Sequence, residues 1–206
     1  ASRSASATIP ATGRETSAFT YDGAWIRRRG AFALAPTLTL TPGPHHAAKG
    51  IPATFTDSAP DAWGRKLMLR QERARARAAG TQSRSLFEID FLAGVDDRTR
   101  LGALRFRDAN GGDFLSRTDR PVPPLIELPK LLAATGRIER DRETDDDLLL
   151  VLAPGTSLGG ARPKATVRDG DGSLLVAKFP KQDDDWPVTL WEAVVMSLAE
   201  QSGVIV

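Results

Sequence analysis

The sequence predicts an α+β chain: a β-rich N-terminal subdomain with helices, then a glycine-rich loop, a β-hairpin and a helix. Three observations carry this. Short apolar segments cut by Gly, Asp and Pro fill the first forty or so residues. Residues 57–79 change to helical spacing. The last third holds two alternating segments joined by Asp169-Gly170-Asp171-Gly172. With 206 residues, 41% hydrophobic and 26% charged, the chain is long enough and ordinary enough to bury a core.

Taken in order, residues 1–16 read as a flexible tail. "SAFTYD", "AWIRRR" and "AFALAP" read as strands separated by turn residues. Residues 42–56 read as a polar loop. It holds His45 and His46, the two histidines of the chain, and Pro and Gly around them favour loop over metal site. Residues 57–79 form a helix capped by Asp61, with Trp63, Leu67 and Leu69 or Arg70 near the helical period. Residues 85–93 give a second helix, and 100–107, "RLGALRFR", alternate as a strand. Residues 109–124, rich in Gly, Asp and Pro, mark a boundary, so one subdomain spans 17–115 and another 116–206. Beyond it, 125–135 are apolar at helical spacing, 141–147 are charged, and 148–152 are a buried run.

In the last third, residues 164–168 and 173–179 alternate as strands, and the Asp-Gly turn between them tolerates positive φ. Leu174, Val176 and Lys178 then share one face. An ammonium on that apolar face requires a negative partner. Residues 187–201 form an amphipathic helix opened by Pro187, with Trp191, Val194, Val195 and Leu198 as its stripe and Glu192 beside it.

Several chemistries are excluded. The chain has no cysteine, so disulfides, thiolate catalysis and cysteine zinc sites are out. Gly155-Thr156-Ser157-Leu158-Gly159 fits a nucleophile elbow, but that fold needs a histidine after the serine, and none follows His46. A Ser–Lys dyad of Ser157 with Lys164 or Lys178 is the remaining hydrolase arrangement. Walker A needs Lys directly after its second Gly, where Ala161 follows Gly160, and no G-x-G-x-x-G is present. Residues 65–84 carry seven basic residues against one acidic, a candidate nucleic-acid patch or a solvated helix face. They lack interleaved aromatics for base stacking. No run of about 18 apolar residues suggests a membrane span, and the N-terminus has no secretory h-region. A cytoplasmic protein is expected.

What remains is an order: glycine loop, strand, turn, strand with an inward Lys, helix with Glu. In outline this is the phosphate-handling half of a protein kinase N-lobe. Backbone N–H groups of a glycine loop approach phosphates because no side chain intervenes. A strand lysine reaches the phosphates and a helix glutamate holds it. By this logic Lys178 is the anchoring lysine and Glu192 its partner. The plain alternative is a hairpin and helix with a snorkelling lysine.

At these residues the chain resembles the HipA-type toxin kinases, through "TSLGGARPKATV", "DGDGSLLVAKFP" and "WEAVVMSLAEQSGV". The N-terminal half is similar too, through "FTYDGAWI", "DSAPDAWGRKLM" and "GVDDRTRLGALRF", so the likeness runs from Phe19 to the C-terminus. The resemblance implies a serine/threonine kinase using ATP and Mg²⁺ that phosphorylates a protein target, an aminoacyl-tRNA synthetase, to give growth arrest and persistence. It implies a helix-turn-helix, HipB-like antitoxin partner that links the complex to operator DNA. Carried over, Gly159, Gly160, Ala161, Arg162, Pro163 and Lys164 form the ATP-covering loop and Lys178 contacts the nucleotide. Ser157 falls where the family autophosphorylates, and the added charge of roughly −1.5 to −2 is expected to expel the loop and switch the enzyme off.

Two departures matter. Ala62 stands where many members carry Gly. The family's catalytic Asp, its metal-binding Asn and its second metal-binding Asp fall beyond Val206, so no catalytic residue is assigned in this chain. Three readings are open: a piece of a longer kinase, a natural short paralogue that binds an antitoxin or kinase partner without catalysis, or a chain completed by another.

Overall fold

A computed structural model describes residues 4–8, 16–47, 50–115, 121–152 and 160–205. The elements run β1 (Ser4–Thr8), β2 (Thr16–Thr20), α1 (Gly23–Ile26), β3 (Pro44–His46), α2 (Ala62–Ala78), α3 (Glu88–Ala93), α4 (Leu128–Glu139), α5 (Asp145–Leu152), β4 (Lys164–Arg168), β5 (Leu174–Lys178) and α6 (Val188–Gln201). Short 3-10 turns at Ala53–Ser58, Asp97–Thr99 and Leu125–Glu127 link them. The α+β class holds, with a β1-β2-β3 antiparallel sheet and a separate β4-β5 hairpin.

Two cores divide the molecule. The first gathers Phe19, Tyr21, Trp25, Leu38, Phe55 and Leu92. Its rings meet edge to face, Phe19 and Tyr21 at 4.7 Å between centroids. The buried Tyr21 hydroxyl is satisfied on both sides: it donates to the Leu38 carbonyl and accepts from the Leu34 N–H, both at 2.7 Å. Arg100, also buried, donates to the carbonyls of Ser58, Leu92 and Val95 and so fastens three chain segments.

The second core gathers Leu131, Ala134 and Ile138 of α4, Leu148 and Val151 of α5, Ala165 and Val167 of β4, and Phe179. It also takes Trp63, Leu67 and Ala74 from α2. Helix α2 lies in the N-terminal half of the sequence, yet its buried face belongs to the C-terminal core. Ion pairs follow the same path: Lys66 meets Glu139 at 2.7 Å, and Arg70 meets Glu143 at 2.6 Å as well as Asp141.

Several expectations are corrected. Ser4–Thr8, expected in a tail, pairs antiparallel with β2. "AWIRRR" opens with a helical turn because Asp22 caps it, its carboxylate accepting from the Ala24 N–H at 2.7 Å. "AFALAP" holds an isolated bridge, Ala35 with Leu38, instead of a strand. The loop expected at 42–56 contains β3, in which His45 pairs with Phe19. Residues 100–107 keep the inward alternation of Leu104 and Phe106 but form only the bridge of Arg107 with Phe114. Positive φ at Gly102 breaks any ladder there. The charged run 141–147 enters α5, where Thr144 and Asp147 bond reciprocally: each backbone N–H meets the other's side chain, at 2.9 and 3.2 Å.

Candidate functional site

The hairpin is set by its turn. The Asp169 N–H donates to the Ser173 carbonyl at 2.9 Å, and Gly172 takes φ near 90°, which a side chain would resist. Five residue pairs follow, and the one nearest the glycine loop is Lys164 with Lys178. Directly paired antiparallel residues share a face, so Lys164, Thr166, Val176 and Lys178 line one side of the hairpin. Ala165, Val167 and Ala177 line the other and join the second core.

Two like charges placed opposite each other repel. Each is met by its own carboxylate, and from a different direction. Lys178 pairs with Glu192 of α6, both side chains remaining about half exposed at 45% and 40%. Lys164 pairs with Asp61 at 2.5 Å, and these side chains are 4% and 5% exposed. Asp61 is the N-cap of α2, and its other oxygen accepts from the Gly64 N–H at 2.7 Å. Two residues on from Asp61, the Trp63 indole N–H donates to the Lys164 carbonyl at 3.0 Å.

The rest of the expected loop is placed as follows. Ser157 and Gly159 lie outside the described residues. Gly160 has φ near 115° and sits over the Lys164 ammonium; a Cβ there would lie 3.1 Å from Nζ. Ala161 is exposed. Arg162 forms a two-pronged pair with Asp184, at 2.8 and 2.7 Å. This hydrogen-bonded pair raises the Arg162 pKa and holds the Asp184 carboxyl below its ordinary range. Pro163 is buried, and its carbonyl accepts the Phe179 N–H at 2.8 Å, extending the ladder past β5.

Sequence reasoning paired Lys178 with Glu192 but placed the lysine inward, whereas its side chain is half exposed beside the exposed Leu174 and Val176. It took Asp61 for a helix cap alone and did not single out Asp184. The stripe expected on α6, Trp191, Val194, Val195 and Leu198, is exposed, and no residue of α6 is buried. The basic segment 65–84 is largely spent on internal pairs: Arg65, Lys66, Arg70, Arg75 and Arg84 each meet a carboxylate. That leaves little of the +6 local field a nucleic acid would need. Among the described residues no three His, Cys, Asp or Glu groups gather for a metal, and no helix is long and apolar enough to cross a membrane.

Among protein families, residues 2–107 match the one described as the HipA N-terminal domain. No curated protein and no solved structure matches the chain. The matched region holds the first core, α2 with Asp61 and Trp63, and α3; the hairpin and α6 lie outside it.

Proposed function

Since the chain belongs to the HipA N-terminal domain family, we propose that it is the N-terminal part of a HipA-type serine/threonine kinase of a toxin–antitoxin system. In this reading its hairpin handles the phosphates of ATP. The observation that carries the proposal is the facing pair Lys164 and Lys178, each already matched to a carboxylate, at the end of a glycine-rich loop. A polyphosphate entering on this face meets the half-exposed Lys178 ammonium and the Gly160 backbone, and competes with Asp61 for the buried Lys164 ammonium. Glu192 keeps Lys178 from folding away into solvent, as the helix glutamate of a kinase does.

ATP supplies the transferable phosphoryl group; the chain's own part is to bind and orient. Among the described residues no three His, Cys, Asp or Glu groups gather to cage Mg²⁺. Residues able to act as general base toward a hydroxyl are likewise unassigned among these 206. In this proposal Ser157 is a regulatory phosphate acceptor, the protein target is an aminoacyl-tRNA synthetase, and a helix-turn-helix antitoxin of HipB-like type brings operator DNA to the complex.

One experiment tests the half-site. The purified chain is titrated with ATP and Mg²⁺ by calorimetry and then weighed intact. Binding near or weaker than the millimolar level is expected, with no added phosphate mass. Tight binding, or phosphate on Ser157 from this chain alone, contradicts the proposal.

A second reading, an interaction module without catalysis, is favoured by one observation: the apolar stripe of α6 faces outward together with Leu174 and Val176 of β5. The two readings part at Lys178. Lys178→Met leaves partner capture intact in the module and removes residual ATP binding in the kinase.

A further inference from the structure

The loop end is held from the other half of the sequence. Asp61 and Lys164 are separated by 103 positions, and Trp63 and Lys164 by 101. Two consecutive features of one helix start therefore grip one residue: the carboxylate takes the ammonium and the indole takes the carbonyl. Gly160 closes the arrangement from above. Its positive φ disfavours a side chain, and a Cβ would lie a tight 3.1 Å from Nζ. The carboxylate itself is fixed, because its second oxygen caps α2.

We propose that Asp61 is a positioning residue for the phosphate loop: from the start of α2 it holds Lys164 beneath Gly160, so that a helix start a hundred positions away in sequence sets both the conformation of residues 160–164 and their affinity for phosphate. The second half of this statement rests on the reading of the hairpin as a phosphate site; the first does not. A buried ammonium with a carboxylate in contact is already neutralised, so an arriving polyphosphate competes with Asp61 for it. Removing the carboxylate while keeping the cap takes away an anion that competes with phosphate for the ammonium. Phosphate affinity then rises, whereas loss of a merely structural residue lowers it.

Asp61→Ser keeps a good capping side chain and removes the charge. Backbone amide exchange over residues 160–165 is expected to speed at least tenfold in this variant. Inorganic tripolyphosphate, titrated into wild type and variant, is expected to bind about tenfold more tightly to the variant. Adding Lys164→Met is expected to abolish that gain and to recover part of the lost thermal stability, since the pair is then gone from both sides. If Asp61→Ser alone does not fold, the double variant carries the exchange measurement. Unchanged exchange in either variant, or weaker tripolyphosphate binding in a folded Asp61→Ser, overturns the proposal. Faster exchange with no tripolyphosphate binding to either protein upholds the positioning of Lys164 and removes the phosphate reading instead.

Discussion

The two strands of the hairpin share one ladder but not one environment. Residues Lys164, Ala165, Thr166 and Val167 of β4 are all buried, while Leu174, Leu175 and Val176 of β5 are exposed. The difference does not come from apolar content, since the exposed β5 is the more apolar of the two strands. It comes from what lies alongside. Helix α2 reaches across from the N-terminal half to grip Lys164, and the Pro123 carbonyl accepts the Arg168 N–H at 2.9 Å on the outer edge of β4. Nothing comparable reaches β5 among the described residues except Glu192 at Lys178. The lesson is that burial of a lysine reports a partner brought by the fold, and exposure of its neighbour reports that no such packing reaches it.

This contrast is easiest to break on the β4 side. Trp63 is buried in the second core and donates to Lys164. Trp63→Ala is expected to cost about 3–5 kcal/mol in denaturant unfolding, from the lost ring volume and the orphaned carbonyl. By contrast, Val176→Ser on β5 is expected to change stability by less than about 1 kcal/mol. Equal effects at the two positions remove the distinction between the strands.

A smaller effect than the tryptophan sharpens the same side. Asp147 of α5 is held down to about pKa 2, first by hydrogen bonding to the Arg137 guanidinium and then by the Thr144 N–H and hydroxyl. Because the folded value lies below the unfolded one, its stabilisation is complete above about pH 4 and is lost as pH falls through 2. The half-exposed guanidinium limits the contribution to roughly 1–2 kcal/mol. Thermal melts of wild type between pH 4 and 2 are expected to drop more steeply than those of Asp147→Asn. Parallel curves contradict the assignment.

Local signals were legible in the sequence and long-range ones were not. The Asp61 cap, the Asp-Gly turn and the Lys178–Glu192 relation all follow from spacing within a few residues or from one strand-to-helix step. "AWIRRR" misled because six residues cannot separate a helical period from an alternating one, and the deciding group, Asp22, lies outside them. "RLGALRFR" misled because an arginine at its start is buried: Arg100 finds three carbonyls, which no alternation pattern encodes. The membership of α2 in the second core, and with it the Asp61–Lys164 pair, joins residues a hundred positions apart. No periodicity reports such a contact. The resemblance that marked "DSAPDAWGRKLM" and "TSLGGARPKATV" as separate segments named both partners without joining them.

The central claim is that the hairpin face carrying Lys178 receives the phosphates of a nucleotide. An acyl-phosphate derivative of ATP, which transfers its acyl group to an amine lying beside the bound phosphates, tests it directly when the labelled chain is mapped by peptide mass. The account predicts acylation at Lys178, suppressed by excess ATP, with the more exposed Lys130 labelled at a rate that ATP leaves unchanged. Labelling of Lys178 no faster than Lys130, and indifferent to ATP, contradicts it.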